Sequence, residues 1–257
     1  MENKMKNVIL RANNVCKSFY QGSKETQILK FITTDIYEGD FTVIMGASGA
    51  GKSTLLYALS GMDSITSGEV IFKEKKISNL SEKEQATLRA KEFGFIFQQM
   101  HLVSNLTLFE NIAVAGYAGE PKDIKNIQDK TMKWLCQMNI ENVKNHLPSQ
   151  VSGGEAQRAA IARAMINNPK LLFGDEPTGA LNKTNSEDVL NLLTEFNKNG
   201  QSILMVTHDI KAAIRGNRIL YLEDGKILDE LHLISYQEDY VKKRETKVND
   251  WLTALQW

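Results

Sequence analysis

Gly46-Ala47-Ser48-Gly49-Ala50-Gly51-Lys52-Ser53-Thr54 fits the phosphate-cradling pattern G-x-x-x-x-G-K-[ST]. Phe41-Thr42-Val43-Ile44-Met45 precedes it as a short β-branched apolar run, and Leu55-Leu56-Tyr57-Ala58-Leu59 follows with helical apolar spacing. Strand, loop, helix is the setting this motif needs. A multiply charged phosphate tail has to be wrapped by backbone N–H groups at a helix N-terminus, and glycines let the backbone come that close. Lys52 then reaches the β- and γ-phosphates, Ser53 is the expected Mg²⁺ ligand, and Thr54 continues the helix. The plain alternative is a chance Gly/Ser-rich turn, and the Gly-Lys-Ser triplet in this context argues against it.

The 257 residues suffice for one large α/β domain or two small ones with a sizeable core. An apolar content of 42% and a charged content of 24% are those of a soluble globular protein. Lys plus Arg and Asp plus Glu both number 31, so the net charge is zero, which argues against a nucleic-acid groove as the main partner. Cys16 and Cys136 lack metal-ligand spacing and read as two buried thiols of a reducing compartment. The charged start Met1-Glu2-Asn3-Lys4-Met5-Lys6 is followed by no apolar stretch of signal-peptide length, and no run is long enough to span a membrane. A cytosolic protein is expected, with any membrane supplied by another chain.

Val8 to Val15 reads as a first strand that Cys16-Lys17-Ser18-Phe19-Tyr20 leaves for a loop at Gly22-Ser23, and Gln27 to Ile36 reads as a second. Phe19 and Tyr20 lie upstream of the phosphate loop, where either an adenine-stacking face or strand-edge packing suits them. Ser81 to Glu84 matches a helix-capping pattern. Phe93-Gly94-Phe95-Ile96-Phe97 is an apolar strand ending on Gln98-Gln99, amides that serve either as an ordinary loop or as metal or water ligands at a strand end. From Asn105 to about Asn145 the pattern is helical, broken at Gly116 to Pro121, with Leu106, Leu108, Ile112 and Val114 before the break. Ile127, Met132, Trp134, Leu135 and Met138 form the apolar group after it, and this helical insertion is the expected partner-docking face.

Ser152-Gly153-Gly154-Glu155 opens a strongly helix-forming run, a second anion-binding helix start in the chain. Lys170-Leu171-Leu172-Phe173-Gly174 is an apolar strand delivering Asp175 and Glu176 at its end. Neighbouring strand residues point to opposite faces, which separates an Mg²⁺ ligand, Asp175, from a water-orienting base, Glu176. Ser202 to Thr207 is another buried strand, ending on His208, which can hydrogen-bond a γ-phosphate; His101, His146 and His232 read as surface or packing residues. A helix is expected from about Thr184 to Asn197, and a hairpin from Ile219 to Leu228 through Glu223-Asp224-Gly225. The charged tail after Ser235 carries Val248, Trp251, Leu252 and Leu255 at helical spacing, and either its own domain or a partner covers Trp251 and Trp257.

With these motifs in this order, residues 8 to 230 resemble an ABC transporter ATPase subunit. The resemblance implies an α/β P-loop NTPase with a RecA-like core, an antiparallel β subdomain and a helical subdomain. The ATPase domain would then run over 1–235, with the helical subdomain inserted at about 99–166 and an amphipathic extension at 236–257. It also implies that Gly46 to Ser53 form the Walker A loop, Phe19 takes the adenine-stacking position, and Gln98 contacts Mg²⁺ and senses the membrane subunit. Val151 to Glu155 occupies the signature motif, Asp175 and Glu176 are Walker B, and His208 is the switch histidine. ATP would lie between Lys52 of one copy and Ser152, Gly153 and Gly154 of a second, in a head-to-tail dimer.

Gly94 to Gln98 and Gly174 to Leu181 are similar to the MacB/LolD branch, near the bacitracin-resistance type. That implies an ATPase at the cytoplasmic face of the cell membrane, driving a separate permease that exports or removes antimicrobial peptides, antibiotics or lipoproteins. The alternatives are a soluble ABC-type ATPase acting on nucleic acid or ribosomes, and a module that clamps on ATP without turnover. Val151 and Glu155 replace the signature's usual leucine and glutamine, and Asn182 stands where an aspartate closes the D-loop. Because Lys52, Asp175, Glu176 and His208 are all present, an active ATPase is expected.

Overall fold

The computed structural model describes residues 7–257. The charged start at residues 1–6 lies outside them. Strand β1 covers Val8–Gln21 and β2 covers Lys24–Tyr37, joined by the expected turn at Gly22-Ser23. Cys16 to Tyr20 do not leave the first strand as expected; β1 continues through them to Gln21. The chain bulges around Asn13-Asn14, where Asn14 takes a φ of 49°, and then resumes pairing through Lys17 with Leu29 and Phe19 with Thr26. The irregularity at Asn13-Asn14 is a bulge within the strand.

After these come β3 (Phe41–Met45), α1 (Lys52–Leu59), β4 (Ser67–Phe72), β5 (Lys75–Lys76), α2 (Glu82–Glu92) and β6 (Phe93–Phe97). Then follow α3 (Leu108–Gly119), α4 (Ile124–Gln137), α5 (Gly153–Met165), β7 (Leu171–Asp175), α6 (Lys183–Lys198) and β8 (Ser202–Val206). The chain ends with α7 (Ile210–Ala213), β9 (Arg218–Glu223), β10 (Lys226–His232) and α8 (Val241–Ala254). The contacts divide it into two units, one of residues up to Ser81 together with Thr194–Trp257, the other of Glu82–Leu193.

In the first unit, β2, β1, β4 and β5 form an antiparallel sheet in that order. A second sheet runs β10-β9-β3-β8, with β3 parallel to both β8 and β9. Every residue of β3 and β8 is buried, which is why both read as unbroken apolar runs and not as alternating ones. Leu55, Leu56 and Leu59 of α1 are buried as well. The expected hairpin is β9 and β10 around Glu223-Asp224-Gly225. The tail helix α8 buries Val248 and Leu252, while the Trp251 indole donates to Asp229 at 2.7 Å and meets Tyr221 edge-on at 6.1 Å. Its own unit therefore covers Trp251, whereas Trp257 stays exposed.

In the second unit, β6 and β7 run parallel, with Phe93 opposite Leu171 and Phe97 opposite Asp175. Phe173 contacts Phe93 and Phe95 at ring-centroid distances of 5.1 and 5.3 Å, giving this strand pair an aromatic core. Leu108, Ile112, Ile127, Leu135 and Met138 are buried as their spacing predicts, but Val114 is half exposed. Gly116 does not break the helices. It lies inside α3 because a Cβ there would come within 2.6 Å of Ile127, so glycine is required by the approach of α4. The break falls after Gly119. Cys16 is buried as expected, but Cys136 is exposed on the outer side of α4.

Among the described residues no helix is long and apolar enough to cross a membrane. Gly94 offers a stability test, because its absent Cβ would lie 2.5 Å from the Ala164 carbonyl of α5. Gly94→Val should lower unfolding free energy by about 1–3 kcal/mol in a urea titration, since backbone cannot yield as a side chain does.

Candidate functional site

Strand β3 delivers its C-terminal end into the glycine-rich loop. Met45 pairs with Tyr221 in β9, and at the next residue a Cβ on Gly46 would overlap the Leu222 carbonyl oxygen. Only glycine fits this close passage of one strand past another. Ala47, Ser48 and Gly49 form the exposed crest of the loop, and Gly49 and Gly51 take left-handed φ values of 83° and 99°. Gly51 is also the N-cap of α1 and provides no side-chain cap to its first N–H groups. An anion at that helix end would complement its dipole.

Lys52 is 8% exposed, and its ammonium donates to the Gly46 and Ala47 carbonyls at 2.8 and 2.9 Å. It bends back over the loop it belongs to, which puts a positive charge inside the ring of backbone that would wrap a phosphate. Ser53 and Thr54, half-buried, continue into the first turn of α1. Phe19, on β1 of the same unit, is 48% exposed with Lys17 4.9 Å from its ring centroid, so one face is held and the ring remains accessible. His208 follows β8, which pairs with β3 through Val206 and Ile44, so it projects from the same sheet edge as the phosphate loop. Thr207 accepts from the Asp209 N–H at 3.0 Å, and Asp209 caps α7, fixing the backbone on both sides of the histidine.

The second unit brings together a separate set. Asp175 ends β7 opposite Phe97 of β6, so Gln98 and Glu176 emerge at one edge. Glu176 is forced to a φ of 45°, a left-handed conformation unusual for a side chain of its size. The Glu176 carbonyl accepts from Gly179 at 2.9 Å, and a Cβ on Gly179 would sit 2.8 Å from the Gln98 amide nitrogen. The turn after Glu176 thus folds back against Gln98, and glycine leaves room for it.

Ser152 is the N-cap of α5 in a reciprocal capping box. Its hydroxyl accepts from the Glu155 N–H at 3.3 Å, while the Glu155 carboxylate accepts from the Ser152 N–H at 2.8 Å and from its hydroxyl at 2.7 Å. Gly153 is exposed, and a Cβ on it would meet nothing within 4 Å. Packing within the chain therefore does not require glycine there. Gly154 is buried, with the Asn185 side chain 2.9 Å from where its Cβ would be. Asn182 accepts from the Asn185 N–H at 2.9 Å and so caps α6.

The sequence reading missed Gln157. This amide is 1% exposed and donates to the Pro177 carbonyl at 2.8 Å, tying the helix after Ser152 to the loop after Glu176, while its Oε1 has no hydrogen-bond partner in the described residues. Its only sequence signal is a polar residue on the apolar side of a helix. The S-x-x-E spacing of Ser152 and Glu155 is the sequence signal for the capping box, which the sequence reading does not include.

A family model described as ABC transporter matches residues 29–179. Among solved structures, the ATP-binding cassette MJ0796, dimeric in a post-hydrolysis state bound to ADP and Pi, superposes with a TM-score of 0.82 at 36% identity, covering 88% of this chain and 100% of that one. A second dimeric structure of MJ0796, a bacterial ABC transporter cassette, gives the same values. CbiO1 from Clostridium perfringens, part of the ABC transporter complex cbiONQ, gives a TM-score of 0.78 at 28% identity, covering 97% and 98% of the two chains.

The capping box carries a pH signature. Hydrogen bonds from the Ser152 side chain, then from its backbone, hold the Glu155 carboxyl below its ordinary value. A carboxylate with a depressed folded pKa stabilises above its unfolded value near 4.5 and loses that contribution as pH falls through the folded one. Thermal unfolding of Glu155→Gln should therefore match the native chain under acid, where the native carboxyl is protonated, and fall slightly below it at neutral pH.

Proposed function

The chain belongs to the ABC transporter family, and from that premise we propose that it is the ATP-binding subunit of a MacB/LolD-type transporter. It is an ABC ATPase with the cassette fold. The observation that carries the nucleotide reading is the phosphate loop itself, a buried ammonium folded onto its own loop carbonyls at a helix start whose N-cap is a glycine. On binding ATP, Lys52 would exchange those carbonyls for phosphate oxygens, and the N–H groups of Gly46 to Thr54 would wrap the tail. Phe19 would stack on the adenine.

Ser53, Gln98 and Asp175 offer the hard oxygen donors that Mg²⁺ takes. Bound there, Mg²⁺ supplies charge neutralisation on the phosphate oxygens. Glu176 would hold and polarise the attacking water through its carboxylate, and His208 would donate a hydrogen bond to the γ-phosphate. The open space at Gly153 supports a role for Ser152, Gly153 and Gly154 as the face offered to the nucleotide of a second copy, in a head-to-tail dimer.

Gly94 to Gln98 and Gly174 to Leu181 support the branch. Its members power a separate permease at the cytoplasmic face of the membrane that exports or removes antimicrobial peptides, antibiotics or lipoproteins. The proposed organisation is an ATPase domain over 1–235, with a helical subdomain at about 99–166 and an amphipathic extension at 236–257.

Three experiments test this. Glu176→Gln should cut phosphate release at least about 100-fold, the scale of a lost general base, with ATP affinity changed by less than about threefold. The same variant should run as a dimer in ATP during size-exclusion chromatography. Affinity purification of the tagged chain from native membranes should recover a permease with a large extracellular part. Recovery of ribosomal or nucleic-acid partners without any membrane protein would overturn the transporter reading.

A further inference from the structure

We propose that the C-terminal helix α8 is a positioning element for hydrolysis, acting through Arg244 on the turn that carries His208. This rests on His208 serving in hydrolysis, as read above.

Arg244 is 3% exposed and donates to three backbone carbonyls, Ile214 at 2.7 Å through Nε, and Gly216 and Ile234 through its two terminal nitrogens. Ile214 and Gly216 lie at the C-terminal end of α7, where a cation complements the helix carbonyls. Asp209, directly after His208, is the N-cap of that helix. Within α7 the Ala213 N–H donates to the Asp209 carbonyl at 2.9 Å and the Ile214 N–H to the Ile210 carbonyl at 2.9 Å, so the single turn is internally braced. His208 is at one end of a short rigid piece and the guanidinium of Arg244 grips the other.

The far end of that piece is also held against the strand that launches the phosphate loop. A Cβ on Gly216 would come 2.7 Å from Val43 and 2.8 Å from the Phe41 carbonyl, and the Asn217 N–H donates to the Phe41 carbonyl at 3.0 Å. Tyr236, just before α8, places its ring 4.3 Å from the Arg215 guanidinium and 5.5 Å from that of Arg244. The tail thus takes hold of the turn twice, once by its carbonyls and once by Arg215.

Adhesion alone does not call for this arrangement. Val248 and Leu252 already bury the apolar side of α8. A guanidinium buried among carbonyls costs desolvation, and burial, with Arg215 adding to it and Tyr236 opposing, pushes Arg244 down to about 10. What the planar fork supplies in return is direction, because its donors fix where several carbonyls sit at once. A lysine cannot reproduce that fork.

The test is a double-mutant cycle in the full chain, pairing Arg244→Met with His208→Ala and following phosphate release and fluorescent-ATP affinity. We expect Arg244→Met to lower kcat about tenfold with KM within about twofold. In the His208→Ala background the same substitution should change the residual rate by less than about twofold. Thermal unfolding confirms that each variant is folded, and if Arg244→Met is not, Arg244→Lys carries the cycle with an intermediate loss of kcat. An unchanged kcat, or a full loss that persists without His208, overturns the inference while leaving the ATPase reading intact. Unaltered turnover in His208→Ala alone would instead overturn the role given to the histidine, and this inference with it.

Discussion

Everything in the first unit's chemistry depends on one close passage of backbone, that of Gly46 beside the Leu222 carbonyl. No side chain larger than hydrogen fits, so the loop leaves β3 along a path that any other residue would divert. The consequence appears six residues later, where Lys52 bends back to the carbonyls of Gly46 and Ala47 and is buried over them. A buried ammonium needs oxygen partners, and the Gly46 and Ala47 carbonyls provide them. On the proposed reading, the loop that accommodates the lysine is also the one that would accommodate the anion.

The second unit solves a different problem, which is to hold carboxylates and amides at strand ends without a glycine-rich cradle. Here strain and tethers replace flexibility. Glu176 is held at positive φ by the turn that closes on Gly179, and the loop beyond it is anchored by Gln157 through the Pro177 carbonyl. Residues kept in sparsely populated conformations persist only where the surroundings over-determine them. The Gln157 tether is one such surrounding contact, linking the helix opened by Ser152 to the acidic loop. That link gives the helix start and Glu176 a common mechanical reference within this unit.

Much of this was legible in the sequence because the signals were local. The phosphate loop, the apolar strands β3, β7 and β8 and the hairpin at Glu223-Asp224-Gly225 follow from residue type and short-range period alone. What escaped was fixed by partners distant in sequence. Cys16 to Tyr20 read as leaving the first strand because β2, the strand they pair with, lies beyond the next turn. Gly116 looked like a breaker because nothing in its neighbourhood announces that Ile127 packs against its Cα. Cys136 looked buried because one apolar period on α4 does not say which side is covered. Gln157 signalled only a polar residue on an apolar helix side, and not its partner, since its acceptor is a carbonyl twenty residues away.

Asn182 shows how a departure from a family pattern separates fold from charge. At the start of α6 the position needs an oxygen to accept a backbone N–H, and the asparagine carbonyl does so from Asn185 at 2.9 Å. Asparagine and aspartate are nearly equivalent caps, so the local backbone is the one an aspartate would give. What is given up is a negative charge at a helix N-terminus, worth about 0.3–1 kcal/mol at an exposed site. Asn182 is exposed, so the loss of charge is felt by whatever approaches that surface more than by the chain itself. The substitution therefore bears on the electrostatics of association, while the turn between Glu176 and α6, with Gly179 folded against Gln98, keeps its shape.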